Sequence, residues 1–305
     1  MDILFLPKTM TYPNCSLHEI VTSDKHIHQG VFYKPENPGK KALLLVHGLS
    51  STFYHQVQFI NQLAESSLHQ GVGLAAFNNR GHDLLASIKK VDRRQIKGYT
   101  RVAGGAGQEL FAESVYDIAA GISFLAQKGF TKIILVGHSS GANKVCFYGA
   151  TKKDPRVAGV ILMSPISDRL DPELDKEKLQ HDLTYMETRI KEGKGEELLI
   201  GYHFFPLTPK RFVSLFTLHS EEDTFDIGNA PPRLTYFKRI KKPLLVLFGE
   251  NDEYTDRPVR EIIKVFDTYT QSRHYTSHIT PQTLHSFQGK EIEITRLIGN
   301  WIRTL

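Results

Sequence analysis

Cysteine is nearly absent from this sequence: Cys15 and Cys146 are the two among 305 residues. Two isolated thiols cannot staple a small secreted scaffold, and they show no metal-ligand spacing. The fold must therefore rest on a packed core, and a reducing, cytoplasmic setting is expected. Long apolar runs are missing too; none reaches the roughly 20 residues that a bilayer-spanning helix needs. The first residues, Met1 to Lys8, carry Asp2 and an early Pro7, and do not read as a signal peptide. Charge of one sign is concentrated nowhere. Lys and Arg number 38 against 33 Asp and Glu, for a formal charge of +5. The densest basic cluster, Lys89 to Arg94, is interrupted by Asp92, so it reads as a solvated loop and not as a nucleic-acid surface. Repeats and low-complexity tracts are absent as well. What remains is an ordinary globular composition, long enough for one large α/β domain with an insertion.

Taken in order, the chain alternates strand and helix patterns. Ser16 to Val21 and Ile27 to Tyr33 flank the turn at Ser23 to Lys25 and predict an antiparallel hairpin. Lys41 to Val46 is a continuous apolar run, as in a strand buried on both faces of a parallel sheet. A helix is expected over Phe53 to Ser67, and a further buried strand over Gly71 to Phe77. Leu84 to Leu110 is charged and Gly-rich and reads as a long loop. Phe111, Val115, Ile118, Ile122 and Leu125 then fall at helical spacing. Val157 to Met163 predicts another strand, after which the rhythm stops until Pro243 to Gly249. Between them lie a charged helical stretch, Pro172 to Glu192, and an aromatic, proline-broken segment that predicts no clear strand. A helix near Arg257 to Phe266, a weak strand near Arg273 to Ile279 and a terminal helix from Lys290 to Arg303 complete the pattern. Ile292, Leu297, Ile298 and Trp301 are expected on the buried side of that last helix. Alternation of this kind implies a mostly parallel, doubly wound sheet of about eight strands. Residues 1–168 and 243–305 would form the core, and 169–242 a helical cap over the carboxyl ends of the strands, where such sheets bind ligands.

One stretch carries the chemistry. The β-branched run Ile133 to Val136 ends in Gly137-His138-Ser139-Ser140-Gly141, and a helical pattern follows at once. Gly-x-Ser-x-Gly between a buried strand and a helix is the sequence of a tight turn that lifts a serine hydroxyl above the sheet. Serine is a poor nucleophile until a base within hydrogen-bond reach takes its proton, and the base needs an orienting anion. The order Ser, then acid, then His is present. Asp252 follows the strand ending at Gly249, with Glu250 and Glu253 as rivals in the same loop. His285 lies between the last strand and the last helix, with His274 and His278 as rivals. His47 and His138 are expected to shape loops. Two amides should face the developing oxyanion, those of Ser140 and of Leu49 in the loop His47-Gly48-Leu49. His82 could touch substrate or belong to a structural turn. Tyr202, Phe204, Phe205, Phe212 and Phe216 are candidates for an apolar pocket under the cap. Neither a metal nor an organic cofactor is called for, and the expected partner is a small-molecule ester; oligomeric state stays open.

With these residues in place the chain resembles the α/β-hydrolase superfamily over nearly its whole length. Leu45-Val46-His47-Gly48, Gly137 to Gly141, Gly249-Glu250-Asn251-Asp252 and His285-Ser286-Phe287 correspond to its oxyanion loop, elbow, acid loop and base loop. The resemblance implies the triad Ser139, Asp252 and His285. Phe77 to Asp83, Gly104 to Gly107, Gly137 to Lys144 and Ser164 to Arg169 look more narrowly like a group of hydrolases of mostly unassigned role, which includes fungal enzymes that open ester bonds in hydroxamate siderophores. The chain departs from some relatives: it has no Trp near the oxyanion loop, and Gly48 is followed by Leu49 where an extended His-Gly-Gly-Gly loop would continue. Ester hydrolysis is the leading expectation. Thioester, amide or peptide cleavage, acyl transfer to another acceptor, and a non-catalytic binder on the same fold are the alternatives.

Overall fold

The computed structural model describes residues 14–170, 175–228 and 231–305. Met1 to Lys8, read above for a leader, and the start of the Pro172 helix lie outside them.

The chain opens with β1 (Cys15–Val21) and β2 (His26–Tyr33), paired antiparallel as the alternation implied. There follow β3 (Lys41–Val46), α1 (Val57–Leu68), β4 (Gly73–Phe77), β5 (Ala86–Val91), β6 (Tyr99–Gly104), α2 (Ser114–Gln127), β7 (Lys132–His138), α3 (Ser140–Thr151) and β8 (Val157–Met163). After β8 come α4 (Lys176–Lys191) and α5 (Pro209–Phe216), then β9 (Leu244–Gly249), α6 (Val259–Tyr269), β10 (Tyr275–Thr280) and α7 (Glu291–Arg303). The strands form one sheet in the order β10-β9-β8-β7-β3-β4-β2-β5-β6, with β1 on β2. Pairing is parallel from β10 through β4 and antiparallel from β2 outward.

Among the described residues the sheet has ten strands, where about eight were expected. The surplus lies in Leu84 to Leu110, which reads as a loop but folds into the hairpin β5–β6. Only Ile88 of β5 is deeply buried. An edge hairpin that buries one side chain in six leaves almost no apolar alternation to detect.

Along β7 the side-chain period of two divides the core. Ile133 and Leu135 enter one apolar layer with α2, α3 and α6, while Ile134 and Val136 enter the other with α1 and α7. On α7 the buried face is Ile294, Ile298, Trp301 and Ile302. Leu297 is partly buried, and Ile292 is 61 % exposed, contrary to expectation. Ile292 sits two residues before Ile294, about 200° away around the helix, so both cannot face the sheet. A third apolar cluster joins α4 to α5 through Leu179, Leu183, Met186, Phe212 and Leu215, with Phe205 and Ala106. No helix among the described residues is long and apolar enough to cross a membrane.

Candidate active site

Ser139 occupies the turn between β7 and α3 with φ +57° and ψ −131°, a left-handed backbone that a serine rarely adopts. The flanking glycines make the turn sterically feasible. A Cβ on Gly137 would lie 2.3 Å from the Gly141 carbonyl oxygen, and one on Gly141 would lie 2.2 Å from the Val46 oxygen. The preceding loop also needs a bare backbone, since a Cβ on Gly48 would sit 2.9 Å from the Ser139 Cβ. Gly48 therefore lies against Ser139, and Leu49 lines the same cavity as Ser139. Ser140 heads α3, where the first amides have no acceptor within the helix.

Ser139 and His285 line the same cavity, of about 950 Å³, over the carboxyl ends of the parallel strands. His285 is 6 % exposed and Asp252 4 %. The His285 Nδ1 lies 2.9 Å and 3.0 Å from the two Asp252 carboxylate oxygens. An ionised carboxylate only accepts, so Nδ1 carries a proton; in the neutral imidazole that leaves the lone pair on Nε2. Burial works to raise the Asp252 pKa, but the His285 hydrogen bond and charge outweigh it and hold the carboxyl below its usual range. Tyr254 packs edge-on against the imidazole at 4.8 Å between centroids.

The rival acids take other tasks. Glu253 accepts the backbone amide of His285 at 2.9 Å, and Glu250 accepts that of Gln282 at 3.1 Å. Each fixes the base loop through its backbone. His278 lies in β10 and His274 just before it, and neither lines the cavity. His138 donates from Nε2 to the His285 carbonyl oxygen at 2.9 Å, and its Nδ1 faces the Gln56 amide at 3.3 Å. Burial and the nearby His285 lower its pKa to about 4. His47 donates from Nδ1 to the Gly48 carbonyl at 2.9 Å and accepts the Asn79 amide at 3.0 Å; burial and the Lys144 charge lower its pKa to about 3. With both nitrogens engaged, each of these histidines shapes a loop.

The aromatic candidates separate. Phe204 and Phe216 line the cavity, joined by His203. Phe205 and Phe212 turn away into the α4–α5 cluster, each 2 % exposed, and Tyr202 packs against that cluster; none of the three lines the cavity. An aromatic side chain that braces one helix against another reads, in sequence, like one that lines a pocket. His82 also stays outside the lining and bonds Asp83 at 2.9 Å. Asp168, Tyr254 and the α1 residues Val57, Gln58 and Phe59 line the cavity without having been singled out as contacts.

A fully buried ion network underlies this floor. Lys144 on α3 donates to Glu109 at 2.7 Å; Arg211 on α5 donates to Glu109 at 3.1 Å and also to Glu222. Asn143 adds bonds to the carbonyls of Ile166, at 3.0 Å, and Glu222, at 3.3 Å. Residues between β8 and β9 are thereby tied to α3, the helix that follows Ser139. Among the described residues, no group of three or more His, Cys, Asp or Glu is placed to hold a metal.

Residues 100–301 match the model of a family described as "Protein of unknown function (DUF1749)". The chain belongs to that family. No curated protein matches it by sequence. Solved structures similar to it include an esterase from Pyrococcus furiosus, Pf2001, at 18 % identity over 95 % of this chain and 91 % of that one, TM-score 0.60. Est1E from Butyrivibrio proteoclasticus, with ferulic acid bound, matches at 16 % identity over 93 % and 98 %, TM-score 0.64. A monoacylglycerol lipase from Paleococcus ferrophilus matches at 20 % over 90 % and 98 %, TM-score 0.59. At these identities the likeness concerns the fold, and this DUF1749 member has the α/β-hydrolase fold.

Proposed function

We propose that the protein is a serine hydrolase of carboxylic esters, with Ser139 as nucleophile, His285 as base and Asp252 as the orienting acid. One observation carries the reading: a serine at φ +57° on the β7–α3 turn opens into the same cavity as a histidine whose far nitrogen is held by a buried aspartate. As the Ser139 oxygen attacks the ester carbonyl, its proton passes to His285 Nε2, and Asp252 stabilises the imidazolium that forms. The amides of Leu49 and Ser140 donate to the oxyanion. His285 then returns the proton to the leaving alcohol, and an acyl-enzyme remains. Water, deprotonated by His285, releases the acid and restores Ser139. Residues 169–242 act as the cap: α4 and α5 pack on each other, and His203, Phe204 and Phe216 give the cavity one wall. The resemblance to esterase structures agrees with this reaction class.

The test is hydrolysis of p-nitrophenyl butyrate together with labelling by a fluorophosphonate. Ser139→Ala should lose label and lower kcat by about 10⁴ or more, as when a nucleophile is removed from a triad. A Ser139→Ala protein as active as its parent would refute the mechanism.

A further inference from the structure

The charges around the cavity do not match those of the molecule. The chain carries a formal +5, yet among the described residues the cavity lining contains no lysine and no arginine. The acidic residues of that lining are Asp168 and Glu291. Glu291, at the start of α7, accepts the Gly289 amide at 3.1 Å. Asp168 is the unusual one. It is half-buried in the turn after β8, and among the described residues it forms no ion pair. The cations nearby are committed elsewhere. Arg211 gives its donors to the Ala106 carbonyl, Glu109 and Glu222, and Lys144 gives its own to Glu109 and Asn79. Two cations and two carboxylates close that network, and Asp168 is left over. Arg169, beside it in sequence, donates to the Phe216 carbonyl.

A carboxylate withdrawn from water without a cation is costly, and the cost falls on its charged form. Burial and the Glu222 carboxylate push the Asp168 pKa up to about 7; Arg211 pulls it down and Asp223 adds a further push up. The compensation missing from the protein can come from a ligand. The same lining includes Phe204, Phe216 and Tyr254, and aromatic faces attract cations.

We propose that Asp168 is the specificity residue of this cavity and that the substrate is an ester bearing a positively charged group, an ammonium or guanidinium, which pairs with it. The inference rests on the ester-hydrolase reading above and adds the charge class of the substrate. Anionic esters are correspondingly disfavoured, since no lysine or arginine among the described residues lines the cavity.

Two nearly isosteric pairs test it, one with the charge on the alcohol side and one on the acyl side. They are butyrylcholine against 3,3-dimethylbutyl butyrate, and ethyl 6-aminohexanoate against ethyl heptanoate. The readout is the ratio of kcat/KM, cationic over neutral, within each pair. One pair should favour the cation by about tenfold or more in the parent protein, mainly through KM. The ratio should fall close to one in Asp168→Asn and be largely kept in Asp168→Glu. A parent that cleaves both neutral esters through Ser139 without favouring a cation in either pair overturns this inference and leaves the hydrolase reading standing. A preference that persists in Asp168→Asn overturns the assignment to Asp168. Failure to cleave any of the four esters by a protein that still turns over p-nitrophenyl butyrate through Ser139 overturns this inference alone; loss of that turnover and of fluorophosphonate labelling as well removes the hydrolase reading and this inference with it. The parent's own ratios decide the matter even where a variant does not fold.

Discussion

Replacing Asp252 by Asn is the most discriminating single change, because it separates the carboxylate proposed to orient the base from two that brace its loop. Asp252 is 4 % exposed and touches the His285 imidazole with both oxygens, at 2.9 and 3.0 Å. In the proposed mechanism His285 takes the Ser139 proton, and a cation then forms about 4 Å from the centre of the carboxylate charge. At an effective dielectric near 20, that attraction is worth about 4 kcal/mol, or roughly a thousandfold in rate. Asn also presents an amide N–H in place of one oxygen. If that N–H faces Nδ1, the ring must hold its proton on Nε2, and no lone pair remains for Ser139. The two effects together predict a fall in kcat/KM of about 10³ to 10⁴ for Asp252→Asn, the range seen when a triad acid is made neutral. Glu253→Gln and Glu250→Gln keep an oxygen for the backbone amides that these side chains accept. Each should cost less than about tenfold. The assay is p-nitrophenyl butyrate turnover at pH 7.5, with the thermal midpoint recorded for each variant to exclude unfolding. If Asp252→Asn stayed within tenfold of the parent while Glu253→Gln collapsed, the acid would be Glu253 and the geometry argued here would be wrong.

Other outcomes follow from the same contacts. Gly141→Ala forces a Cβ to within 2.2 Å of the Val46 carbonyl oxygen, a backbone atom that cannot yield cheaply; stability measured by urea denaturation should drop by at least about 3 kcal/mol. Arg211→Met leaves Glu222 and Glu109 buried with one cation between them and should cost about 3–5 kcal/mol, whereas adding Glu222→Gln should restore part of the loss. Asp168→Asn should change stability with a defined sign in pH. The folded Asp168 titrates near 7 and an unfolded aspartate near 3.9, so the native state binds the extra proton between those values and the parent loses stability as pH rises through that window. Melting curves should therefore show Asp168→Asn gaining on the parent from pH 4 to pH 8, by several degrees at the upper end; a gap that narrows with rising pH would contradict the shift.

Much of the fold is legible in the chain because its central strands are buried on both faces. β3, β7, β8 and β9 announce themselves as unbroken apolar runs, and their loops follow from parallel connectivity. The edge is not legible in the same way. β5 and β6 gain their hydrogen bonds from neighbours and bury little, so their residues look like those of a loop. The boundary of α1 differs for a local reason: Phe53 is held by its amide on the Asn78 side chain at 3.0 Å, and the helix begins only at Val57.

The residues of the proposed triad are visible as motifs, but the electrostatics of the cavity depend on pairings that no local pattern contains. Asp168 precedes Arg169, and a reader of the sequence would pair them. The structure instead sends Arg169 to the Phe216 carbonyl. Lys144 and Arg211 look like two surface cations on two helices, yet both are fully buried and meet at Glu109, 35 and 102 residues away in sequence. Gly81 belongs to the same arrangement, since a Cβ there would lie 2.0 Å from a Glu109 carboxylate oxygen. The glycine after Arg80 makes room for the acid that bridges both cations, and Glu222 supplies the second negative charge. Because that neutralisation is complete without Asp168, the sign of the charge facing a substrate is set by residues that do not touch the cavity. It follows that Glu109→Gln, remote from the lining, should weaken any preference for cationic esters: it frees Arg211 and Lys144 to compensate Asp168. Measuring the same cationic-to-neutral ratios in that variant checks the argument, and an unchanged ratio in a folded protein would break it.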